Sequence, residues 1–166
     1  MFCGVDPGLT GAVAIVDATG ALVAVQDVPT LRLRVARGTR HDYDVPGMCA
    51  LLAPYAGASL HVIIEAAQAM PGQGTRSMFT IGYGFGLWLG ILVALAMPYT
   101  TVRPVVWKKA FGLGKDKEQA RLRAMQLFPS ADLRRKRDHG RAEALLLVMW
   151  GRRHRDSKEP QHGWAV

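Results

Sequence analysis

The feature of this sequence that most limits its fold is an uncharged segment of 26 residues at 77–102, SMFTIGYGFGLWLGILVALAMPYTTV. A segment of this length without a charge can cross a membrane, or it can form the buried central helix of an α/β domain. The part before Gly90 is rich in glycine and polar residues, and the chain contains no second segment of this kind. We therefore expect a core helix and no membrane partner.

Short apolar runs on either side of that segment predict the strands of a mixed sheet. Residues 2–6, 11–16 and 21–29 are interpreted as three strands joined by short turns, which predicts an antiparallel meander. Two further strands are expected at 60–66 and 99–104. Together they predict a five-stranded mixed sheet.

Helical patterns separate and follow these strands. Helices are expected at 45–56, 77–97, 105–113, 115–128 and 139–153. The basic stretch 30–43 is interpreted as a loop or an edge of the sheet. This order of elements predicts one α/β domain over 1–153, with helices on both faces of the sheet, and a polar tail at 154–166.

The charge of the chain is unevenly distributed. The net charge is +8 and the isoelectric point is about 10.0. Residues 103–158 contain 16 of the 21 Lys and Arg residues and 6 of the 13 Asp and Glu residues, which gives +10 for this segment and −2 for the rest. A basic segment of this size favours a polyanionic partner such as nucleic acid.

The chain has two cysteines, Cys3 and Cys49, which provide neither a disulfide framework nor a metal-binding spacing. Residues 1–5 lack the positive start of a signal peptide. We expect a cytoplasmic or other intracellular protein, with a phage-infected cell or an organelle as possible settings.

Four acidic residues lie where predicted elements begin or end. Asp6 and Glu65 each end an apolar strand, and strand ends of an α/β sheet share one rim. Asp138 and Glu143 lie at the start of the last helix, where a spacing of five separates them by about 140°. They share a face only if Asp138 is at or before the N-cap.

Each of these acids also has an ordinary interpretation. Asp6 fits a turn residue in Asp-Pro-Gly, and Asp138 fits a helix cap. Glu143 fits an exposed helix residue or a partner of Arg141. Glu65 is harder to explain as structural, because an apolar strand rarely ends on an acid without a partner. His139 is either a surface residue, a metal ligand or a proton shuttle.

A cluster of carboxylates is the oxygen-rich environment that Mg²⁺ and Mn²⁺ prefer. Two such ions can activate a water and stabilise a leaving alkoxide in phosphodiester cleavage. The sequence therefore predicts a metal site at the rim, with no nucleotide cofactor.

Five segments then show a resemblance to a known family: GVDPGLTGAVAIVD, VIIEAAQAMPGQG, VRPVVWKKAFGL, KDKEQARLRAMQLFP and DHGRAEALLL. In this order they resemble RuvC-type Holliday junction resolvases, in particular the branch found in bacteriophages and plastids. The resemblance covers roughly residues 2–153. It implies an RNase H-like fold, a homodimer, and Mg²⁺-dependent symmetrical nicking of four-way DNA junctions in recombination and repair.

The resemblance assigns the acidic quartet to Asp6, Glu65, Asp138 and Glu143. The bacterial form commonly has two acids three apart, whereas this chain has Gly140 three residues before Glu143. His139 is close enough in sequence to substitute, as a histidine does in some family members. Lys115 matches a family lysine near the site that stabilises transition-state charge.

The remaining predictions concern DNA and the dimer. Basic candidates for phosphate contacts are Lys108, Lys109, Lys117, Arg121, Arg134, Arg135, Lys136 and Arg137. The loop after Glu65 offers Gln73, Arg76 and Phe79 to contact or wedge bases. In the family the following helix lies near the dimer interface, and glycines 82, 86 and 90 would let two backbones approach.

Other functions fit parts of the sequence. A related RNase H-like nuclease acting on RNA or on other branched DNA would share the metal site, and a non-catalytic nucleic-acid-binding module would keep only the basic face. The opening GVDPGLTGA also resembles the phosphate-binding start of actin-like and sugar-kinase-like ATPases. Those proteins need two lobes, and 166 residues supply one.

Overall fold

The first two strands consist entirely of buried residues, and this places them at the centre of the sheet. In the computed structural model, which describes residues 1–68, 72–114 and 116–154, β1 is Phe2–Val5 and β2 is Ala12–Val16. The third strand, β3, is Leu22–Asp27 and is only partly buried. These three strands pair antiparallel, which confirms the predicted meander.

The other elements follow in chain order. They are β4 (Thr30–Val35), β5 (Gly38–Tyr43), α1 (Val45–Leu52), β6 (His61–Glu65), α2 (Thr75–Ala94), β7 (Tyr99–Val102), α3 (Pro104–Ala110), α4 (Lys117–Leu127) and α5 (His139–His154), with a 3₁₀ turn at Ala53–Tyr55.

The main sheet has the order β3-β2-β1-β6-β7, with β6 parallel to both β1 and β7. Two apolar clusters lie on its opposite faces. One contains Trp107 of α3 and the buried residues of α4 and α5, and the other contains Met48 of α1 and Trp88 of α2. The predicted five-stranded α/β fold with helices on both faces is therefore confirmed.

The structure corrects the interpretation of residues 30–43 as a loop or edge. They form a separate two-stranded antiparallel ribbon of β4 and β5, which begins with the pair Thr30 and Tyr43 and ends with the pair Val35 and Gly38. Most of its side chains are exposed. The two strands therefore lack the alternation of apolar and polar residues by which a half-buried strand is predicted from sequence. At a rise of about 3.3 Å per residue, the ribbon is roughly 20 Å long.

Gly4 sets how closely α5 packs on the sheet. A Cβ at this position would overlap the backbone of Ala144 and Val148. The glycine therefore allows α5 to lie directly on β1, and this brings the start of α5 to the rim where β1 ends.

Of the helices in the described ranges, α2 alone is long and apolar enough, by length and composition, to cross a membrane. One side of it packs into the domain, where Trp88 and Leu92 are fully buried. Only 28% of its most apolar window is buried. Its exposed side includes the large apolar residues Phe79, Tyr83 and Val93.

Candidate active site

Asp6 and Glu65 lie beside each other at the rim of the sheet. The parallel register pairs Val5 with Ile64, so the next residues of the two chains are neighbours. Since side chains alternate along a strand, both acids fall on the face to which Gly4 and Ile63 belong, which is the face covered by α5. The predicted meeting of these two acids at the strand ends agrees with this register.

Glu143, in the second turn of α5, provides a third carboxylate. Burial raises the pKa of Asp6 to about 7, and the charge of Glu143 adds to the rise. Burial likewise raises the pKa of Glu65 to about 7, with further contributions from Glu143 and Asp6. The three side chains therefore form one electrostatically coupled group, which we call the acidic triad.

A lysine from α3 reaches the acidic triad. Lys108 Nζ donates to Glu143 Oε1 over 2.9 Å. Burial lowers the pKa of Lys108, but the hydrogen bond and charge of Glu143, with smaller contributions from Glu65 and Asp6, outweigh this effect and raise it. A positive charge thus lies among the three acids.

Each triad carboxylate has one oxygen held by the protein. Asp6 Oδ1 accepts from the Gly8 N–H (3.1 Å), Glu65 Oε2 from the Trp107 indole (2.7 Å), and Glu143 Oε1 from Lys108. Within the described ranges, no hydrogen bond reaches the second oxygen of any of the three.

A set of three fixed carboxylates, each with a second oxygen available, has the chemistry that a divalent cation needs. As these side chains stand, no three acidic, histidine or cysteine residues of the described chain are close enough together to enclose one ion. Three carboxylates, each with one oxygen that no hydrogen bond reaches within the described chain, are a donor set that fits a divalent metal ion.

The structure does not place Asp138 with the acidic triad. It precedes α5 as expected, and its backbone carbonyl accepts from Ala142. Its buried carboxylate accepts from the Arg135 backbone N–H and Nε, both over 2.8 Å. Burial raises its pKa, but these bonds outweigh that effect and lower it. In this structure the Asp138 carboxylate binds Arg135, and its role as a metal ligand stays a prediction.

Gly140 accounts for the departure from the bacterial pattern. A Cβ here would overlap the backbone of Thr10 and Gly11. An aspartate three residues before Glu143 therefore does not fit unless this turn moves.

His139 interacts with a group outside the acidic triad. Its charge acts on Glu118 of α4, and its Nδ1 is buried without a hydrogen-bond partner in the described chain. Its role as a ligand stays a prediction.

The predicted DNA-binding residues fall into several environments. Lys117 acts by its charge on Asp6 and so lies near the triad. Lys109 instead lines a cavity of about 790 Å³ at the amino ends of the strands, with Phe2 and Trp150, and this places it away from the rim. Lys136 and Arg137 are exposed, and Lys115 lies outside the described residues.

Three of the predicted arginines have internal partners. Arg121 binds Glu118 and the Leu133 carbonyl, Arg134 binds Asp132, and Arg135 binds Asp138. Arg121 and Arg135 therefore have structural contacts that do not depend on DNA.

The start of α2 presents the predicted loop residues. Gln73 donates to Ser77, and Arg76 is exposed. Phe79 is 74% exposed and stacks on Tyr83 with ring centroids 6.1 Å apart. Phe79 therefore lies on the surface of the domain and not in its core.

The ribbon of β4 and β5 is a candidate contact that the sequence interpretation missed. Cross-strand partners share a face, so Arg32, His41 and Arg34 project from the same face as Tyr43. The Tyr43 hydroxyl donates to the Pro7 carbonyl beside Asp6. A basic ribbon face thus begins at the rim, and alternating arginines in 30–43 were the sequence signal for it.

Comparisons with known proteins agree with this architecture. No protein-family model matches the chain. The chloroplastic Holliday junction resolvase MOC1 of Chlamydomonas reinhardtii is 36% identical over 98 residues, which is 55% of this chain. The chain spans only 11% of the length of that relative.

Two solved structures of RuvC from Thermus thermophilus are similar in fold. RuvC in complex with a Holliday junction substrate aligns with a TM-score of 0.63 at 20% identity, over 89% of this chain and 90% of that one. A second RuvC structure aligns with the same score at 21% identity, over 93% and 94%. These comparisons confirm the resemblance to RuvC-type resolvases that the motifs indicated, and they show that the fold is RuvC-like.

Proposed function

We propose that this protein is a metal-dependent endonuclease that resolves four-way DNA junctions by paired, symmetrical nicks. The observation that carries the proposal is the acidic triad, in which Asp6, Glu65 and Glu143 converge from three distant segments beside Lys108. The similarity to MOC1 and RuvC supports a junction as the substrate.

Asp6, Glu65 and Glu143 would hold Mg²⁺, with Mn²⁺ as a substitute, and His139 and Asp138 remain further candidates. A cation bound there supplies Lewis-acid stabilisation of the charge that develops on the phosphate. The protein's own part is to fix the carboxylates, to keep them partly out of water, and to bring cationic side chains to the phosphate.

Lys108 and Lys117 are described lysines whose charges act on acids of the triad. The Lys108 ammonium, which binds Glu143 in this structure, would donate to a phosphate oxygen and stabilise the charge that develops on it. Lys117 already acts on Asp6 from the first turn of α4. Lys115, two residues earlier in the chain, is a further proposed contributor.

The basic ribbon face would contact a junction arm away from the cut. Its arginines project along a ribbon that begins beside Asp6 and extends roughly 20 Å. Phosphate contacts of this kind position DNA without reading its sequence. Exposed Phe79 and Arg76 at the start of α2 would contact the unpaired centre of the junction.

A homodimer would form through the exposed side of α2. Phe79, Tyr83 and Val93 expose 74%, 45% and 66% of their surface, and glycines 82, 86 and 90 lie between them. A Cβ at any of these glycines meets no atom within 4 Å. An open apolar face with small residues suits a second copy of the helix, and twofold symmetry would place two sites for two cuts.

The location that accompanies this function is intracellular, and the similar relative is chloroplastic. The competing substrate classes are branched RNA and other branched DNA, because the metal site itself does not distinguish them.

The proposal is tested with a synthetic four-way DNA junction, the same junction made of RNA, and a linear duplex, each with and without Mg²⁺. We expect Mg²⁺-dependent nicks at symmetrical positions of the DNA junction only. Cleavage of the duplex at the same rate, or of none of the substrates, contradicts the proposal.

Asp6→Asn and Glu65→Gln should abolish cleavage and preserve junction binding measured in Ca²⁺. Asp132→Asn is the matched control, because Asp132 is an exposed acid paired with Arg134. Full activity in either triad variant would refute the assignment of the site.

A further inference from the structure

One buried tryptophan donates its polar atom to the acidic triad. The side chain of Trp107 is fully buried, and its Nε1–H donates to Glu65 Oε2 over 2.7 Å. The two residues are 42 positions apart in sequence and come from α3 and the end of β6. A bond of this length fixes the direction of the carboxyl group, and it is stronger when that group is ionised.

The bond leaves the other oxygen of Glu65 for a different partner. Within the described chain no hydrogen bond reaches Oε1, so the indole fixes one oxygen and the second stays available. Groups that orient a ligand in this way typically change metal affinity or activity by 10–100-fold when they are removed.

The same indole also contacts the cation of the site. Lys108 Nζ lies 5.1 Å from the centroid of the Trp107 ring, while it donates to Glu143. The ring thus borders the lysine that binds Glu143, and its N–H binds Glu65. Helix α3 contacts two of the three triad carboxylates, Glu65 through Trp107 and Glu143 through Lys108.

Another buried tryptophan shows that burial alone does not require this bond. Trp88 is also fully buried, and its Nε1 has no partner in the described chain. It belongs to the apolar cluster on the opposite face of the sheet. Trp88 fills space only, whereas Trp107 fills space and binds a carboxylate.

We propose that Trp107 is a positioning residue for metal binding, whose indole N–H holds one oxygen of Glu65 so that the other oxygen faces the divalent cation. This inference rests on the proposed function, because it assigns Glu65 as a ligand. It adds a residue that none of the site predictions included.

The experiment compares Trp107→Phe with Trp88→Phe. Both changes shorten a fully buried ring and remove one N–H, but only the first removes a hydrogen bond. We expect Trp107→Phe to raise the Mg²⁺ concentration for half-maximal cleavage at least about 10-fold. We expect Trp88→Phe to stay within about 3-fold of wild type, with junction affinity in Ca²⁺ unchanged in both. Equal Mg²⁺ dependence in the two variants overturns the proposal.

Two readouts do not depend on cleavage. Mn²⁺ affinity of the free protein, measured by calorimetry, should fall about 10-fold in Trp107→Phe and not in Trp88→Phe. In ¹⁵N-labelled protein, Glu65→Gln should move the indole N–H resonance of Trp107 and leave that of Trp88 in place. An unmoved Trp107 resonance overturns the proposal even if Trp107→Phe fails to fold.

The outcomes also separate this inference from the proposed function. If wild-type protein cuts no junction, the proposed function fails, and the Mn²⁺ affinities and the indole resonance still decide the role of Trp107.

Discussion

Lys108 Nζ lies 2.9 Å from Glu143 Oε1, and its positive charge also acts on Asp6 and Glu65. Helix α3 therefore supplies a cation to the same three carboxylates that would hold a metal. This relationship makes the charge balance of the site measurable without any substrate.

Replacing Lys108 by Met should destabilise the metal-free protein and increase its response to Mg²⁺. Without the ammonium, the buried acids repel one another more strongly, and a bound divalent cation relieves more of that repulsion. We expect a lower Tm in EDTA and a larger Mg²⁺-induced rise in Tm than in wild type, measured by differential scanning calorimetry. Lys109→Met is the control, because Lys109 lines the distant cavity. An identical Mg²⁺ response in both variants would contradict the role of Lys108.

Asp6→Asn should stabilise the metal-free protein at pH 8 and not at pH 4. The folded-state pKa of Asp6 is raised from 3.8 to about 7, so the folded protein retains a proton that the unfolded chain releases between these values. The stabilisation associated with that proton is fully present below about pH 4 and is lost as the pH rises through 7.

The asparagine has no charge to desolvate, so we expect a gain on the order of 1 kcal/mol at pH 8. This corresponds to about 2–4 °C in Tm for a chain of this size. Asp132→Asn, at an exposed and paired acid, should show no such gain. A lower stability of Asp6→Asn at pH 8 in EDTA would show that the carboxylate is not destabilising there.

Arg32→Ala and Arg34→Ala should weaken binding of a four-way junction and reduce its salt dependence. Each lost phosphate contact lowers the slope of log K against log salt by about 1. Arg40→Ala is the matched control, because Arg40 lies on the opposite face of the ribbon and binds Asp42 over 2.8 Å. Fluorescence anisotropy between 50 and 200 mM salt (about the range in which such contacts are resolved) gives the slopes. Equal slopes for all three variants would remove the ribbon from the DNA interface.

Gly84→Ala should lower the folding stability of the monomer, whereas Gly86→Ala should weaken the dimer. A Cβ at Gly84 would overlap the Tyr43 hydroxyl and the Pro7 carbonyl, so we expect a loss of about 1–3 kcal/mol in folding stability. A Cβ at Gly86 would meet no other part of the described chain within 4 Å, apart from its own helix backbone. That variant should keep its monomer stability and weaken the dimer, as measured by analytical ultracentrifugation. An unchanged dimer in Gly86→Ala would move the interface away from this part of α2.

The acidic site was predictable where residues follow directly from strand patterns. Asp6 and Glu65 end apolar strands, and parallel neighbours bring such ends together, so their proximity follows from the chain order. Asp138 was harder to interpret, because a helix-capping acid and a metal ligand have the same sequence pattern. The Asp138 carboxylate binds Arg135 because of the conformation of the loop before α5, and this conformation could not be predicted from the sequence.

The sequence by itself determined the five-stranded sheet, the helices on both faces and the resemblance to RuvC-type resolvases. Apolar periodicity and strand ends are local properties of the chain, and they predicted the sheet and the helices. The resemblance came from the five sequence motifs. Only the tertiary structure decided that Trp107 binds Glu65, that Lys108 binds Glu143, and that 30–43 form a ribbon beside the rim. The two side-chain contacts join segments that are distant in the chain, and the ribbon is mostly exposed. Neither leaves an apolar pattern in the sequence from which the contacting residues could be predicted.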